Sequence, residues 1–310
     1  MRKKVKVLIV TFNRKNYLTK LLRSLSCSLY PIQSILIIDN NSSDGTSDAL
    51  YSDGIINAPL RDTIVSKVWN NIIVDYYLNS ENEGGAGGFS KGFDILQKQN
   101  FDFLWVMDDD VLPDENCLTQ LIESIDDEHC VTIPNRSDNN YIDNAKIKLN
   151  LSNPFSFYFD RKVPANSIRS STIVVENMPF EGPLIKKSVI DAVGIPDKSY
   201  FIFFDDTDYA TRILKYTKIL FVKNAILCRQ RVQIKLNSFN WRDFYSFRNS
   251  VYFDKKYGKN VGVKYLRPFI RLNYLIFKSL LTFKFNRIPC YTRAYLDGVN
   301  SKMGKTVIPS

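Results

Sequence analysis

The sequence is poor in residues that build zinc and redox sites. It contains one histidine, His129, and its five cysteines are widely spaced with no Cys-x-x-Cys pair. This distribution predicts neither a zinc site nor a dithiol centre, and it favours reduced thiols in a cytoplasmic protein. No uninterrupted apolar run approaches the ~20 residues that a membrane-spanning helix needs, so no such helix is predicted.

Charge is also unevenly distributed. Residues 241–310 hold 14 Lys and Arg against 3 Asp and Glu, a net charge of +11, whereas residues 1–240 hold 28 basic and 29 acidic side chains. Hydrophobic residues make up 45% of the chain, which excludes a disordered protein. We therefore predict a nearly neutral domain over residues 1–235 and a basic, aromatic-rich region over residues 236–310.

Apolar runs alternate with helical patterns over the first hundred residues. The predicted strands are VKVLIVTF (5–12), SILIIDNN (34–41), IIVDYYLN (72–79) and FLWVMD (103–108). Strands that alternate with helices predict an α/β fold with an open sheet of parallel strands. Ligands of such sheets bind beyond the carboxyl ends of the strands.

Each predicted strand is followed by a polar motif. Thr11 to Arg14 follow the first strand, Asp39 ends the second, ENEGGAGG (81–88) follows the third, and Asp108 to Asp110 follow the fourth. An acidic residue for a ribose, glycine backbone that a ligand can approach and a carboxylate cluster together suit a nucleoside diphosphate. A glycine run alone is also compatible with a flexible turn.

The three consecutive aspartates repel one another, so they require a cation or full solvation. In an extended segment Asp108 and Asp110 project to one side and Asp109 to the other. Two carboxylates on one side can hold Mg²⁺ or Mn²⁺ together with phosphate oxygens. The alternative is a solvated acidic loop.

A second acidic group occurs in FIFFDDTDYATRIL (201–214). Its apolar spacing after the acids predicts a helix, with Asp205 and Asp206 near the N-terminus, where carboxylates commonly act as caps. One acid suffices for capping. Three acids within four residues favour a catalytic general base as well.

Five motifs, in this order and spacing, resemble the inverting glycosyltransferases of GT-A family 2. They are TFNR (11–14), DNNSSDGT (39–46), ENEGGAGGF (81–89), WVMDDDV (105–111) and FFDDTDYATR (203–212). Within that family they are most similar to bacterial galactofuranosyltransferases. The resemblance implies an open mixed sheet flanked by helices, followed by a C-terminal helical region. It also implies transfer of galactofuranose from UDP-galactofuranose to a hydroxyl of a cell-surface glycan or a polyprenyl-diphosphate-linked saccharide.

The resemblance further implies a role for each motif residue. The uridine and ribose contacts are Thr11, Phe12, Arg14 and Asp39; the donor-sugar and diphosphate neighbours are Asn82, Gly84, Gly85 and Asp109; the ligands of Mn²⁺ or Mg²⁺ are Asp108 and Asp110; the general base is Asp206, with Asp205 beside it; and the acceptor contact is Glu181. For Glu181 an equal alternative is that it has no role in binding and lies in a simple turn before a surface helix.

One position departs from the pattern of the galactofuranosyltransferases. They complete the metal site with a histidine after the DDxD group, whereas His129 precedes that group. The corresponding neighbourhood here is AILCRQRVQIK (225–235), which includes CRQR (228–231). Either the aspartates, the diphosphate and water hold the metal, or an arginine supplies the positive charge. We expect His129 to be an ordinary surface or structural residue.

The C-terminal region predicts two helices, at 241–258 and 268–285. In the second, Arg271, Lys278 and Thr282 form a polar stripe on an otherwise apolar surface. This pattern is typical of a helix that lies on an anionic membrane, or of one packed on the catalytic domain. The first alternative predicts a cytoplasmic protein, peripheral at the inner face of the cell membrane. No nucleic-acid-binding motif accompanies the basic residues, so no nucleic-acid partner is expected.

Two other functions remain open. A rhamnosyltransferase that uses a dTDP sugar shares the TFNR motif and the pair Arg248 and Asn249. A non-catalytic nucleotide- or glycan-binding protein of the same fold would bind its ligand without turnover. The sequence does not predict the acceptor or the oligomeric state.

Overall fold

The computed structural model describes residues 2–156, 159–231 and 240–308, with only the backbone of Phe159 and Asp160. The strands are β1 (Val5–Thr11), β2 (Ser34–Asp39), β3 (Ile64–Trp69), β4 (Ile72–Leu78), β5 (Phe103–Asp108), β6 (Val111–Pro113), β7 (Val131–Asn135), β8 (Asn144–Leu149), β9 (Phe159–Pro164), β10 (Thr172–Val175), β11 (Leu184–Lys186) and β12 (Ile219–Arg229). The α-helices are α1 (Lys15–Ser26), α2 (Thr46–Ser52), α3 (Gly84–Gln97), α4 (Cys117–Glu123), α5 (Lys187–Val193), α6 (Asp205–Ile213), α7 (Trp241–Tyr257), α8 (Arg267–Leu281) and α9 (Ile288–Val299).

Ten of these strands form a mixed sheet with the order β10-β12-β7-β11-β5-β1-β2-β4-β3, in which β6 pairs with β12, and β8 and β9 form a separate two-stranded sheet. The four strands predicted from the sequence, β1, β2, β4 and β5, lie side by side and run parallel. Strand β11 is antiparallel to both β5 and β7, and β3 is antiparallel to β4. The predicted α/β fold with an open mixed sheet flanked by helices is therefore confirmed.

The central strands are apolar because both faces of the sheet are covered. Every residue of β1 and β2 is buried. Side chains alternate between the faces of a strand. Val7 packs with Leu22 of α1 in one apolar cluster, whereas Leu8 packs with Phe93 of α3 in the other. Residue alternation along β1 thus fixes which helix covers which face.

Strand β3 was not predicted. Its sequence IVSKVW places Ser66 and Lys67 in the middle, and every residue of the strand is at least partly exposed. The strand lies at the edge of the sheet, where one face and one row of backbone groups meet water. A strand without a buried face lacks the apolar run by which the central strands are recognised.

The predicted C-terminal helices correspond to α7 and α8, and α9 was not predicted. These three helices pack around an apolar cluster that includes Phe247, Leu272 and Tyr291. Arg267 of α8 forms a fully buried ion pair with Asp254 of α7, with Nη2 and Oδ1 2.5 Å apart. The expected boundary after residue 235 lies outside the described residues. Over the part of the chain that is described, none of the helices has the length and hydropathy needed to cross a bilayer.

Candidate active site

A cavity of about 440 Å³ lies beside the carboxyl ends of β1 and β5. Eleven of the thirteen residues singled out in the sequence line it: Thr11, Phe12, Arg14, Asn82, Gly84, Gly85, Asp108, Asp109, Glu181, Asp205 and Asp206. Asp39 and Asp110 are not part of its lining. The fold thus brings together motifs that are separated by nearly two hundred residues of sequence.

Arg14 joins the first and fourth polar motifs. Its Nη1 lies 2.7 Å from Oδ1 of Asp109 and 3.0 Å from Oδ2 of Asp110, and the hydroxyl of Thr11 donates to Asp109 at 2.6 Å. Burial opposes the charged guanidinium, but Asp109 and Asp110 outweigh it and raise the pKa of Arg14. The prediction that Asp109 projects to the side opposite its two neighbours assumed an extended segment and is wrong. Strand β5 ends at Asp108, and the next two residues form a turn.

Asp108 lies at the end of β5 in the cavity wall. Burial raises its pKa well above the usual range, and the negative charges of Asp110 and Glu181 raise it further, while Arg14 opposes them. A divalent cation would relieve this repulsion, and carboxylate oxygens are the ligands that Mg²⁺ and Mn²⁺ prefer. The residues present therefore fit such a cation. No group of three or more acidic, histidine or cysteine ligands converges among the described residues, so the remaining ligands would come from diphosphate and water.

Asp39 is fully buried and its carboxylate is already bonded. One oxygen accepts from the hydroxyl of Tyr76 at 2.6 Å, and the other accepts from the backbone N–H of Ser42 at 2.7 Å. Burial raises its pKa, and these hydrogen bonds offset part of that rise. In this structure Asp39 orders the turn after β2, and its neighbour Asn40 reaches the cavity instead.

The glycine-rich motif forms the first turns of α3. Helix α3 begins at Gly84, so these glycines lie within a helix and do not form the flexible turn with which a glycine run alone is also compatible. The side-chain oxygen of Asn82 accepts from the N–H of Gly84 at 2.8 Å. Gly84 has φ +76°, and a Cβ there would lie 2.1 Å from the carbonyl oxygen of Phe201. A Cβ on Gly85 would meet open space, so Gly84 is required for packing and Gly85 is not.

The segment before the DDTD group has an unusual backbone. Phe201, Phe203 and Phe204 all have positive φ values between 65° and 69°. A bulky residue in this region is strained by about 1–3 kcal/mol and persists only where its surroundings hold it. Here the side-chain amide of Asn249 donates to the carbonyl oxygens of Tyr200, Ile202 and Phe203 at 3.0, 2.7 and 2.9 Å.

Arg248 reinforces that contact. Its Nη2 donates to the carbonyl of Tyr200 at 3.1 Å, and its Nη1 donates to the carbonyl of Gly304 at 2.7 Å. Arg248 and Asn249 are both fully buried in α7. The C-terminal region therefore holds the strained segment from which the two cavity aspartates project.

The three aspartates of DDTD have different environments. Asp205 and Asp206 line the cavity, whereas Asp208 is fully buried between α6 and α7. The partners of Asp208 are the hydroxyls of Tyr200 and Tyr257, Arg212 and Lys256, at 2.7–3.1 Å. Asp208 thus ties the helix to the C-terminal region, and two acids remain for chemistry.

Burial raises the pKa of Asp206, and the nearby ammonium of Lys146 on β8 opposes that rise. Burial and the charge of Asp206 raise the pKa of Asp205 to about 8. Burial favours the protonated form of both carboxyls, and the positive charge of Lys146 favours the ionised form of Asp206. Neighbouring carboxyls with separated pKa values are a common feature of acid–base sites.

Glu181 is held between two arginines. Its Oε2 lies 3.1 Å from Nη1 of Arg136 and 2.7 Å from Nη2 of Arg229. Burial would raise the pKa of Glu181, but the two guanidinium groups outweigh it and lower the pKa. Glu181 is thus a charged part of the cavity wall, with its oxygens already accepting hydrogen bonds from both arginines.

Several cavity residues were not predicted by the sequence. They are Val10, Asn40, Phe89, Pro179, Phe180, Phe201, Ile202, Phe203, Trp241 and Arg242. Asn40 was recognisable as the residue after Asp39 in the DNN motif. Trp241 and Arg242 gave no signal, because they come from the start of α7, far along the chain.

The CRQR stretch (228–231) places arginines beside carboxylates. Arg229 contacts Glu181, and Arg231 lines the cavity with Nη1 4.0 Å from Oδ2 of Asp110. Burial lowers the pKa of Arg242, and the positive charges of Arg14 and Arg231 lower it further, so three arginines share this region. His129 lies elsewhere, with Nδ1 2.9 Å from Asp126.

Comparison with solved structures gives the fold class. The GalNAc-T7 structure with UDP, GalNAc and Mn²⁺ aligns with a TM-score of 0.58 at 16% identity, over 86% of this chain and 54% of that one. TarS 1–349 of S. aureus aligns with a TM-score of 0.58 at 12% identity, over 96% and 82%. The mannosyltransferase PcManGT from Pyrobaculum calidifontis, with GDP-Man and Mn²⁺, aligns with a TM-score of 0.57 at 11% identity, over 97% and 88%. The fold is that of the GT-A glycosyltransferases.

The family follows from the sequence comparison. The family model described as "Glycosyl transferase family 2" matches residues 6–173, which is more than half of the chain. The protein belongs to glycosyl transferase family 2. Galactofuranosyltransferase GlfT1 of Mycobacterium tuberculosis (strain CDC 1551 / Oshkosh) is 24% identical over 226 residues, 69% of this chain and 66% of that relative. GlfT1 of Mycolicibacterium smegmatis is 22% identical over 211 residues, 67% and 64%. The matched region thus spans slightly less than two thirds of these relatives.

Proposed function

We propose that the protein transfers galactofuranose from UDP-galactofuranose to an acceptor hydroxyl, with inversion at the anomeric carbon. The observation that carries this proposal is that two acidic pairs, Asp108 with Asp109 and Asp205 with Asp206, line one cavity. In the first pair, Asp108 suits a divalent cation bound to a diphosphate, while Asp109 is held by Arg14 beside it. In the second pair, Asp206 suits a base for the acceptor. A nucleotide-binding protein without activity would need only the first pair.

Asp206 is the general base in this mechanism. As the acceptor oxygen attacks the anomeric carbon, Asp206 takes the proton of that hydroxyl. The new C–O bond forms while the bond between the anomeric carbon and the β-phosphate oxygen breaks, and UDP leaves with the electron pair. A single direct displacement of this kind inverts the stereochemistry and needs one base.

Asp108 and Asp110 would hold Mn²⁺ or Mg²⁺. When bound, the cation neutralises charge on the leaving diphosphate and so replaces a protonating acid. Arg14 keeps Asp109 and Asp110 in place from the side of β1. Arg231 lies in the stretch that corresponds to the one carrying the metal-site histidine of galactofuranosyltransferases, and it adds positive charge next to Asp110.

The remaining cavity residues position the substrates. Thr11, Phe12 and Arg14 lie on the nucleotide side, Asn82, Gly84 and Gly85 on the donor-sugar side, and Glu181 next to Asp206 for the acceptor. Asp39 contributes indirectly, because its carboxylate orders the turn that carries Asn40 into the cavity. The charged state of Glu181 suits it to accept hydrogen bonds from acceptor hydroxyls.

The choice of donor is supported by the similarity to galactofuranosyltransferases. We further propose that the acceptor is a cell-surface glycan or a polyprenyl-diphosphate-linked saccharide. The reaction would then take place in the cytoplasm at the inner face of the cell membrane.

The decisive experiment is UDP or dTDP release by the purified protein. It is offered UDP-galactofuranose, UDP-galactopyranose, UDP-glucose and dTDP-rhamnose in turn, each with Mn²⁺ and with EDTA. We expect turnover with UDP-galactofuranose that EDTA abolishes. Turnover with dTDP-rhamnose instead would show that the protein is a glycosyltransferase but that galactofuranose is not the sugar it transfers. Nucleotide binding without turnover of any donor would favour a non-catalytic binding protein.

A further inference from the structure

Helix α8 exposes an apolar face to solvent. Ten large apolar side chains between residues 265 and 285 are exposed in the described part of the chain: Tyr265, Leu266, Phe269, Ile270, Tyr274, Phe277, Leu280, Leu281, Phe283 and Phe285. Tyr274, Phe277 and Leu281 are 61%, 59% and 64% exposed, and Phe283 is 82% exposed. We call these ten residues the α8 face.

The residues of the α8 face that lie on the helix recur at helical spacing, so they form one continuous stripe. The opposite side of α8 already has its packing partners. Leu272 is buried there, Leu275 and Ile276 pack against the cluster that contains Phe247 and Tyr291, and Ser279 is buried. The sequence left open whether α8 packs on the protein or lies on a membrane. In the structure one side packs on α7 and α9 and the other side remains uncovered.

Positively charged side chains next to the α8 face indicate the kind of partner that covers it. Lys278 and Lys284 are exposed at its edge, and neither forms an ion pair with a carboxylate of the described residues. They belong to a region of residues 241–310 with a net charge of +11. Monomeric proteins rarely expose a continuous apolar area of this kind without a partner. Aromatic and aliphatic side chains flanked by lysines match the boundary between acyl chains and anionic headgroups.

We infer that the α8 face is the surface with which this protein docks on an anionic lipid bilayer. The apolar side chains enter the outer acyl layer while Lys278 and Lys284 contact the headgroups. Helix α7 links this surface to the cavity, because its first residues Trp241 and Arg242 line the cavity and its body packs on α8. The inference does not depend on which donor sugar the protein uses.

The test is co-sedimentation of the full chain with lipid vesicles. One set consists of phosphatidylcholine alone, and the other of phosphatidylcholine mixed with phosphatidylglycerol. We expect binding to the anionic vesicles that is at least about tenfold tighter than to the neutral ones, and that weakens as salt is raised. Absence of binding to the anionic vesicles would overturn the inference.

Two pairs of variants separate the apolar and electrostatic contributions. Phe269→Ser with Phe277→Ser removes apolar groups, and Lys278→Glu with Lys284→Glu reverses charge. Each pair should weaken binding to anionic vesicles by at least about tenfold. The matched controls are Leu60→Ser with Val68→Ser and Lys20→Glu with Lys98→Glu, exposed residues outside the α8 face, which should bind like the wild type.

Two further outcomes would overturn the inference. If the phenylalanine variants bound as tightly as the wild type, the protein would only adsorb through its net charge. If light scattering showed a wild-type dimer that the phenylalanine variants converted to monomers, a second copy of this chain would cover the face. UDP affinity, measured by calorimetry on the same variants, should be unchanged. Failure of docking and failure of the proposed transferase are therefore distinguishable.

Discussion

The side-chain amide of Asn249 lies 2.9 Å from the carbonyl oxygen of Phe203, two residues before Asp205. The same amide also bonds the carbonyls of Tyr200 and Ile202. A residue of the C-terminal region thereby determines the direction in which the two cavity aspartates project. It acts as a positioning residue, because its side-chain amide bonds the backbone before the aspartates and not their carboxylates.

Asn249→Asp replaces the amide with a carboxylate that faces three carbonyl oxygens. We expect kcat to fall by about 100-fold because the base is displaced, with little change in the KM for the donor. Steady-state kinetics at a temperature where the variant is folded measures this. Leu25→Ala, a buried change in α1 that costs about 2–5 kcal/mol, is the control and should keep its kcat. An equal loss of kcat in both variants would contradict a positioning role.

Asp206→Asn keeps the size of the side chain and removes its basicity. Turnover should fall by about 10²–10⁴-fold, the usual contribution of a general base. Affinity for UDP, measured by calorimetry, should stay within about twofold, because the diphosphate side of the cavity is intact. Full activity of this variant would rule out Asp206 as the base.

The raised pKa of Asp206 predicts the pH dependence of kcat. The base must be ionised, so activity should decrease as pH falls, starting at a higher pH than for an exposed aspartate. The positive charge of Lys146 lowers the pKa of Asp206. Lys146→Met should therefore move the acid limb of the profile to higher pH while the plateau remains. Lys148→Met, an exposed change two residues further along β8, should leave the limb where it is. A limb that stays in place in Lys146→Met would contradict this assignment.

Gly84→Ala should destabilise the protein. A Cβ at position 84 would collide with the carbonyl of Phe201, and the positive φ costs an alanine about 1–2 kcal/mol by itself. We expect the free energy of unfolding to fall by more than about 2 kcal/mol in urea titrations. Gly85→Ala, with open space for its Cβ, should be neutral or stabilising by up to about 1 kcal/mol. Equal stabilities of the two variants would contradict the packing argument.

Mn²⁺ together with UDP should raise the temperature of unfolding, because ligands that bind only the folded state stabilise it. EDTA should reverse the rise. Asp108→Asn should lose most of it, yet should be at least as stable as the wild type without ligands, since the amide removes repulsion with Asp110. Asp94→Asn, a change in α3 outside the cavity, serves as the control and should respond like the wild type. An undiminished response of Asp108→Asn to Mn²⁺ would place the cation elsewhere.

The sequence by itself determined the central strands and the position of the site. Strands β1, β2 and β5 are buried on both faces and β4 on one face, so their apolar residues are frequent enough to recognise. The polar ends of these parallel strands necessarily meet at one edge. Gly84 was recognised in the sequence as a residue of the site, but its close packing against the carbonyl oxygen of Phe201 was not predicted. The α8 pattern was also visible, but it was compatible with both packing and exposure.

Only the tertiary structure decided how these residues are used. In the folded protein Arg14 bonds Asp109 and Asp110. Asp208 is buried, where it connects α6 to α7, whereas Asp205 and Asp206 line the cavity. The tertiary structure also brought Trp241 and Arg242 to a site formed mainly by the first two hundred residues. Local patterns cannot encode these contacts, because each depends on two segments far apart in the chain whose distance is fixed only when the sheet and helices pack.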